Sequence, residues 1–224
     1  MSFAGRLAGA TRRTRVTLGV ALALALAGAT PGRSESPTAS TRLAATRTLV
    51  ARLTAAGRGE AAVTLTRSDP MGGPAQVMRG RLALEPPDRV RLDFPATGER
   101  IAVRGDGGEW VQPAARQMVR LKPEQTDLAA GLWEVFLRGG NDRFAERAVG
   151  ARRFVLEART QEEGLPGKIQ VVLDARGLPA TLEMDDPSGG DVRYAFRGWR
   201  FTRASGVRAF ALRAPAGYTV VDLP

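Results

Sequence analysis

Three pairs of acidic residues are the groups in this sequence whose types and spacing could do acid–base chemistry: Glu124 with Asp127, Glu162 with Glu163, and Asp185 with Asp186. Two nearby carboxylates can divide the roles of general acid and general base when their surroundings separate their pKa values. Each pair falls at a predicted turn or helix start, where carboxylates have ordinary structural uses. No flanking residue would tune a pKa, so we expect a protein that is not an enzyme.

The composition removes most other catalytic and metal-binding chemistry. The 224 residues include no cysteine and no histidine. The chain therefore has no disulfide, no thiol nucleophile, no thiolate or imidazole metal ligand, and no side chain that usually titrates near neutral pH. We expect neither a metal nor a cofactor.

The formal net charge of +10 could indicate binding to nucleic acid or to an anionic membrane surface. Its distribution argues against nucleic acid. Arginines are spread singly through strand-like segments, Lys122 and Lys168 are the only lysines, and two tyrosines are few groups for stacking on bases. Because nucleic-acid binding needs cations clustered on one face, we expect no nucleic-acid partner.

Residues 1–29 have the pattern of a secretory signal peptide. Four arginines precede the apolar run "VTLGVALALALAGA", which ends in the small residues Ala27, Gly28 and Ala29. The run is shorter than the roughly 20 residues of a membrane span, so we expect cleavage after Ala29 and export from the cytoplasm. An uncleaved anchor helix is the alternative. Residues 30–40, "TPGRSESPTAS", predict a flexible tail before a single domain at 41–224.

The periodicity of the domain predicts two helices packed on one antiparallel sheet. A helix is predicted at 41–56, capped by Ser40 or Thr41 and stopped by Gly57, and another after Gln125. A further short helix is predicted at 142–147. Alternating segments at 61–122 and 152–214, including "RAFALRA" at 208–214, predict about ten strands. Such a wide sheet should curl strongly, which gives an α+β fold with the two helices packed on its concave side.

The stretch "LEPPDRVRLDFP" shows how one strand pair divides its side chains between the two faces. Alternation puts one set on the apolar face: Leu82, Leu84, Pro86, Val90, Leu92 and Phe94. It puts a charged set on the other face: Arg81, Glu85, Arg89, Arg91 and Asp93. The apolar set could fill a solid core or line a cavity. The arginines could be solvated partners of nearby acids, or could contact an acidic partner surface or lipid headgroups.

Five stretches of the chain match a known protein family in their order and spacing. They are "GRLALEPPDRVRLDF", "IAVRGDGGEWVQP", "LAAGLWEVFL", "IQVVLDARGLPATLEMDDPSGGDVRYAF" and "FALRAPAGYTVVD". The second has an Asp-Gly turn followed by a tryptophan, here Asp106, Gly107 and Trp110. The last has a Pro-x-Gly turn before a closing strand with valine and aspartate. With the N-terminal amphipathic helix, they resemble the periplasmic outer-membrane lipoprotein carrier family, LolA, over essentially the whole mature chain.

The resemblance implies an incomplete β-barrel, strongly curved and antiparallel, with helices covering its concave apolar face. In the family, this cavity holds the acyl chains of a lipoprotein in the periplasm. It implies acylated lipoproteins as cargo, an inner-membrane ABC-type exporter as donor and an outer-membrane receptor as acceptor. It implies no nucleotide or metal in the carrier, which we expect to be a monomer. The family has an arginine that ties the lid shut immediately before the proline of the strand corner. Pro86 occupies that position here.

The predicted site has three parts. The sheet side of the lipid-binding cavity is formed by Leu82, Leu84, Val90, Leu92, Phe94 and Trp110. The lid is formed by Leu43, Val50, Leu53, Leu128, Leu132, Trp133 and Phe136. Arg89 and Arg91 are possible partner contacts. Two rivals remain open: a carrier of another lipid or glycolipid, and a periplasmic regulatory protein that senses lipid on the same fold.

Overall fold

Two helices and one twelve-stranded sheet make up the part of the chain that the computed structural model describes, residues 43–69, 71–139, 142–160, 166–185 and 190–222. Within helix α2, the side chains at 124–131 are not described. The predicted signal peptide, the tail and the predicted caps Ser40 and Thr41 lie outside these residues. No helix among them is long and apolar enough to cross a membrane.

The elements follow the predicted order of helix, strands, helix, strands. The helices are α1 (Ala44–Ala56) and α2 (Pro123–Arg138). The strands are β1 (Arg58–Arg67), β2 (Gln76–Glu85), β3 (Arg89–Phe94), β4 (Glu99–Arg104), β5 (Gly107–Gln112), β6 (Gln117–Leu121), β7 (Phe144–Gly150), β8 (Arg153–Ala158), β9 (Lys168–Leu173), β10 (Pro179–Asp185), β11 (Asp191–Thr202) and β12 (Thr219–Asp222).

The sheet is open, with β12 at one edge and β7 at the other. Its strand order is β12-β6-β5-β4-β3-β2-β1-β11-β10-β9-β8-β7. Neighbours are antiparallel except β12, which pairs parallel to β6. Strand twist accumulates over so many strands, and the sheet curves into an incomplete barrel whose concave face carries the helices. The predicted α+β fold is confirmed, with two strands more than expected.

Helix α1 ends where the sequence predicted but is capped by a residue far along the chain. At its C-terminus Gly57 adopts a φ of 98° and donates its N–H to the carbonyl of Leu53 at 2.7 Å. At its N-terminus, Leu43 offers no side-chain cap. The Glu146 carboxylate of β7 accepts the N–H groups of Ala44 and Ala45 at 2.8 and 2.7 Å instead. A strand of the distal half of the sheet thus fixes the start of α1.

Two predictions of secondary structure are wrong. The predicted helix at 142–147 is strand β7, which buries only Phe144 and exposes most of its other side chains, so its sequence shows almost no periodicity. The predicted strand at 208–214 is a 3₁₀ turn, Val207–Phe210, followed by irregular chain. Phe210 and Leu212 are buried as alternation suggested, but the backbone bonds to side chains of the sheet and not to a neighbouring strand.

Residues 203–218, here called the strap, connect β11 to β12 across the outer face of the sheet. The strap lets β12 reach the far edge and pair parallel to β6. Under it lies a small second core in which Leu212 packs on Ala102, Val111 and Met118. The sheet therefore has a large apolar core beneath the helices and a minor one beneath the strap.

Candidate functional site

The concave face of the sheet carries two rows of aligned residues across β1 to β6, all of them apolar or glycine. Strand register aligns one row as Ala61, Leu82, Leu92, Ile101, Trp110 and Val119. It aligns the next as Gly59, Leu84, Val90, Val103, Gly108 and Leu121. Residues directly opposite each other on neighbouring strands point to the same face, so the rows form one continuous apolar wall.

Five of the six predicted sheet-side residues are buried in this wall. Leu82, Leu84, Val90, Leu92 and Phe94 belong to the core cluster beneath the helices. Trp110 stands on the same face but is only partly buried, and its Nε1 donates a hydrogen bond to Glu99 at 2.8 Å. Trp110 is therefore the least buried of the six residues, on a strand that α2 contacts.

The predicted lid residues on both helices turn toward this wall. Leu43, Leu53, Leu132, Trp133 and Phe136 belong to the same cluster as the sheet residues, and Val50 is buried as well. The Leu128 side chain lies outside the described residues. Trp133 meets Tyr194 edge-on, with ring centroids 5.4 Å apart, and lies 6.3 Å from Phe196. The helices thus close directly onto the apolar face that the sequence predicted.

Helix α2 contacts the corner between β2 and β3 through an arginine in its last turn. Arg138, in the last turn of α2, donates from Nε to the carbonyl oxygen of Pro87 at 3.2 Å. Its Nη1 also pairs with Glu134 at 3.1 Å, one turn earlier in the helix. Pro86 stands beside the acceptor. A guanidinium thus links lid and corner here although the corner itself offers no arginine.

On the outer face, Arg89 is engaged in fastening the strap. It pairs with the carboxylate of Glu85, which is only 1% exposed. That carboxylate also accepts the backbone N–H groups of Ser205 and Gly206 at 2.7 and 3.1 Å. A buried carboxylate needs this number of donors, because an unpaired one would carry a large desolvation cost.

Arg91 and Arg104 hold the strap at two further points. Arg91 pairs with Asp93 at 2.8 Å and donates to the carbonyl of Ala209 at 2.7 Å. Arg104 donates two parallel hydrogen bonds of 2.7 and 2.8 Å to the carboxylate of Glu109 and a third, of 2.8 Å, to the carbonyl of Phe210. The hydrogen bonds that Arg104 donates to Glu109 raise the pKa of the Arg104 guanidinium above its ordinary value, against the lowering effect of burial.

The predicted partner role of Arg89 and Arg91 stays a prediction. Both arginines remain partly exposed while they hold the strap. Sequence reasoning missed the strap, although the strict charge alternation of β2 and β3 did place these side chains on the face where it lies. Nothing local indicated that Arg91 would also donate to the backbone carbonyl of Ala209.

The acidic pairs do not assemble into a site among the described residues. Glu124 and Asp127 lie within α2. Asp185 is the last residue of β10 and pairs with Asp191 of β11. Glu162, Glu163 and Asp186 lie outside the described residues. Within those residues, no group of three or more acidic side chains is placed to hold a metal ion.

Comparison with known proteins finds similarity at the level of structure. No family model matches the chain, and no curated protein matches it. An uncharacterized conserved protein from Thermus thermophilus is similar at a TM-score of 0.48 and 13% identity, over 79% of this chain and 98% of the other. A LolA superfamily protein from Nitrosomonas europaea is similar at 0.41 and 10%, over 75% and 97%. The Mycobacterium tuberculosis lipoprotein LppX is similar at 0.36 and 10%, over 73% and 95%.

Proposed function

We propose that this protein is a periplasmic carrier that binds the acyl chains of lipoproteins between its helices and its sheet and shuttles them from the inner to the outer membrane. The observation that carries the proposal is the apolar wall across β1 to β6, which two helices cover. The covering helices contact each other as well as the sheet, so they can act as a lid.

The energetics of acyl chains require such a shelter. Each methylene moved out of water contributes about 0.8 kcal/mol, so two or three chains of ordinary length cannot cross an aqueous compartment exposed. A carrier must also let its cargo go. Trp133 and Phe136 already fill the core beneath the helices, so acyl chains that enter must displace existing side-chain contacts. This lowers the net affinity for the acyl chains and favours their release.

The partners and the compartment follow from this role. Cargo would arrive from an ABC-type exporter in the inner membrane and leave for a receptor in the outer membrane, with no cofactor in the carrier. The signal-peptide pattern of residues 1–29 supports export from the cytoplasm. Arg89 and Arg91 remain candidate partner contacts on the exposed side of the strap's anchor points.

Tryptophan quenching tests the binding site directly. Trp133 on α2 packs into the core beneath the helices, Trp199 on β11 is buried in the same core, and Trp110 on β5 is only partly buried. A triacylated peptide with brominated chains should quench the intrinsic fluorescence of the purified protein, and Trp133→Phe should remove the largest part of that quenching. The same peptide without acyl chains is the control. Absence of quenching in a folded protein would contradict acyl binding at this site.

Cargo identity is tested by purifying the exported protein from its native host under mild conditions and identifying co-purifying molecules by mass spectrometry. Triacylated peptides are the expected result. If a free lipid or glycolipid co-purifies instead, the cargo of this site is that lipid and not a lipoprotein. Recovery of no hydrophobic molecule would count against a carrier and leave a lipid-sensing regulatory role to be tested.

A further inference from the structure

A groove of about 600 Å³ on the outer face of the sheet lies apart from the helix-covered wall. It runs over β1 between β2 and β11, and Ala209 of the strap contributes to its lining. Five arginines line it against two carboxylates: Arg58, Arg81, Arg91, Arg197 and Arg200 against Glu60 and Asp93. The groove therefore carries a strong local excess of positive charge.

Strand register places the cations around a floor of small side chains. Arg81 on β2 and Arg197 on β11 both stand opposite Ala62 of β1. Because neighbouring strands are about 4.8 Å apart, the Cα atoms of these two arginines are about 10 Å apart across the alanine. A bulge in β11 at Gly198, with a φ of 66°, turns Arg200 to the same face opposite Glu60.

The two carboxylates of the groove are already committed. Arg58 binds Glu60 at 2.7 Å and lies over the ring of Phe210, while Arg91 binds Asp93. Arg58 and Arg91 thus belong to the fastening of the strap. Arg81, Arg197 and Arg200 are exposed, and none of them has an ion-pair or hydrogen-bond partner within the described ranges.

We propose that this groove is a binding site for a phosphate-bearing ligand, held by Arg81, Arg197 and Arg200. Three unpaired cations that share one concavity repel one another, and an anion with two or more charged oxygens relieves that repulsion. The planar guanidinium fork matches phosphate oxygens two at a time, which lysine cannot do.

The lining also decides against nucleic acid. No aromatic side chain lines the groove, so bases would find no surface to stack on. A volume of about 600 Å³ suits one small molecule or one headgroup. The phosphate can belong to a soluble compound or to the headgroup of an anionic phospholipid, since both present the same oxygens.

Calorimetric titration with pyrophosphate tests the site in the purified, folded protein. The double variant Arg81→Gln/Arg197→Gln should weaken pyrophosphate binding at least tenfold, because it removes the two guanidinium groups that flank Ala62. The matched control is Arg120→Gln/Arg147→Gln, which removes the same charge from exposed arginines outside the groove. The control should bind within twofold of the wild type.

Two results would overturn the site: no pyrophosphate binding by the wild type, or an equal loss in both double variants, which would assign the effect to net charge. Tighter binding of a poly-glutamate peptide than of pyrophosphate would overturn the choice of phosphate. The source is separated by two further probes. Groove-dependent binding to phosphatidylglycerol vesicles but not to free glycerol phosphate supports a lipid headgroup, and groove-dependent binding to both supports a soluble phosphate compound.

Discussion

The Nε atom of Arg138 donates a hydrogen bond to the carbonyl oxygen of Pro87 at 3.2 Å, which joins the end of helix α2 to the corner between β2 and β3. The corner is the place where the family that the sequence resembles carries a lid-tying arginine. Here the donor comes from the lid and the acceptor is backbone. Arg138 is about half exposed, with 54% of its side chain accessible, so the bond is made at the rim and not in the core.

Replacing Arg138 should loosen the lid without unfolding the protein. One charged hydrogen bond at a partly exposed position contributes about 1 kcal/mol, so Arg138→Ala should raise the open-lid population and the uptake rate of an acyl probe roughly fivefold. Stopped-flow fluorescence with a brominated acyl chain measures the rate. Glu134→Gln is the control, because it keeps the bond from Arg138 to Pro87 while it removes the ion pairs of Glu134 with Arg138 and Arg143. Equal acceleration in both variants would remove the latch role.

The layout of the concave face was predictable because it follows from alternation alone. Period-two patterning in "LEPPDRVRLDFP" placed Leu92 and Val90 on one face and Arg91 on the other, and the register of β2 with β3 agrees. Helical periodicity placed Phe136 on the apolar face of the second helix with Trp133 beside it, and both are buried in the core. Burial of one face requires apolar residues at regular intervals along a strand or helix, so these patterns can be recognised in the sequence itself.

The partners of charged groups were not predictable, because they lie far away in sequence. Glu85 meets Ser205 at a separation of 120 residues, and Glu146 meets Ala44 at 102. A carboxylate of the same type and spacing could as well face solvent. Strand β7 was mistaken for a helix for a related reason: an edge strand with one buried side chain has almost no period to read.

Glu85 should be the most sensitive of the strap's anchor points. Glu85→Gln keeps the size of the side chain but removes the charge that binds Arg89 and accepts from Ser205 and Gly206 inside the protein. We expect the free energy of unfolding to fall by about 2–3 kcal/mol in urea denaturation. Glu183→Gln, at an exposed pair with Arg193, should change it by less than about 0.5 kcal/mol. Similar losses in the two variants would show that the strap is not fastened by Glu85.

Glu146 should stabilise the start of α1 through space. Glu146→Ala leaves the N–H groups of Ala44 and Ala45 without their acceptor, and loss of a helix cap costs about 1 kcal/mol. Hydrogen exchange should quicken at the amides of the first turn of α1 before any change in β7. Glu157→Ala, on the neighbouring strand at an exposed pair with Arg147, should leave α1 exchange unchanged. Unaltered exchange in Glu146→Ala would mean that α1 is fixed by its apolar face alone.

A matched pair of leucines separates lipid binding from stability. Leu92 on the concave wall is 5% exposed, and Leu212 beneath the strap is 7% exposed. Leucine-to-alanine changes in cores cost about 2–5 kcal/mol, so both variants should unfold at lower urea concentration. Only Leu92→Ala should alter acyl-probe affinity, by threefold or more, because only Leu92 lies on the wall that the helices cover.

Affinity should be measured well below the unfolding transition of both variants, with folding checked by circular dichroism. Equal changes in the Leu92→Ala and Leu212→Ala proteins would mean that the probe senses stability and not the wall. An unchanged affinity in Leu92→Ala, with Trp133→Phe also without effect on quenching, would place acyl binding away from the concave face. If affinity for the acyl probe changes in Leu92→Ala alone, the probe contacts the same side chains that form the core beneath the helices.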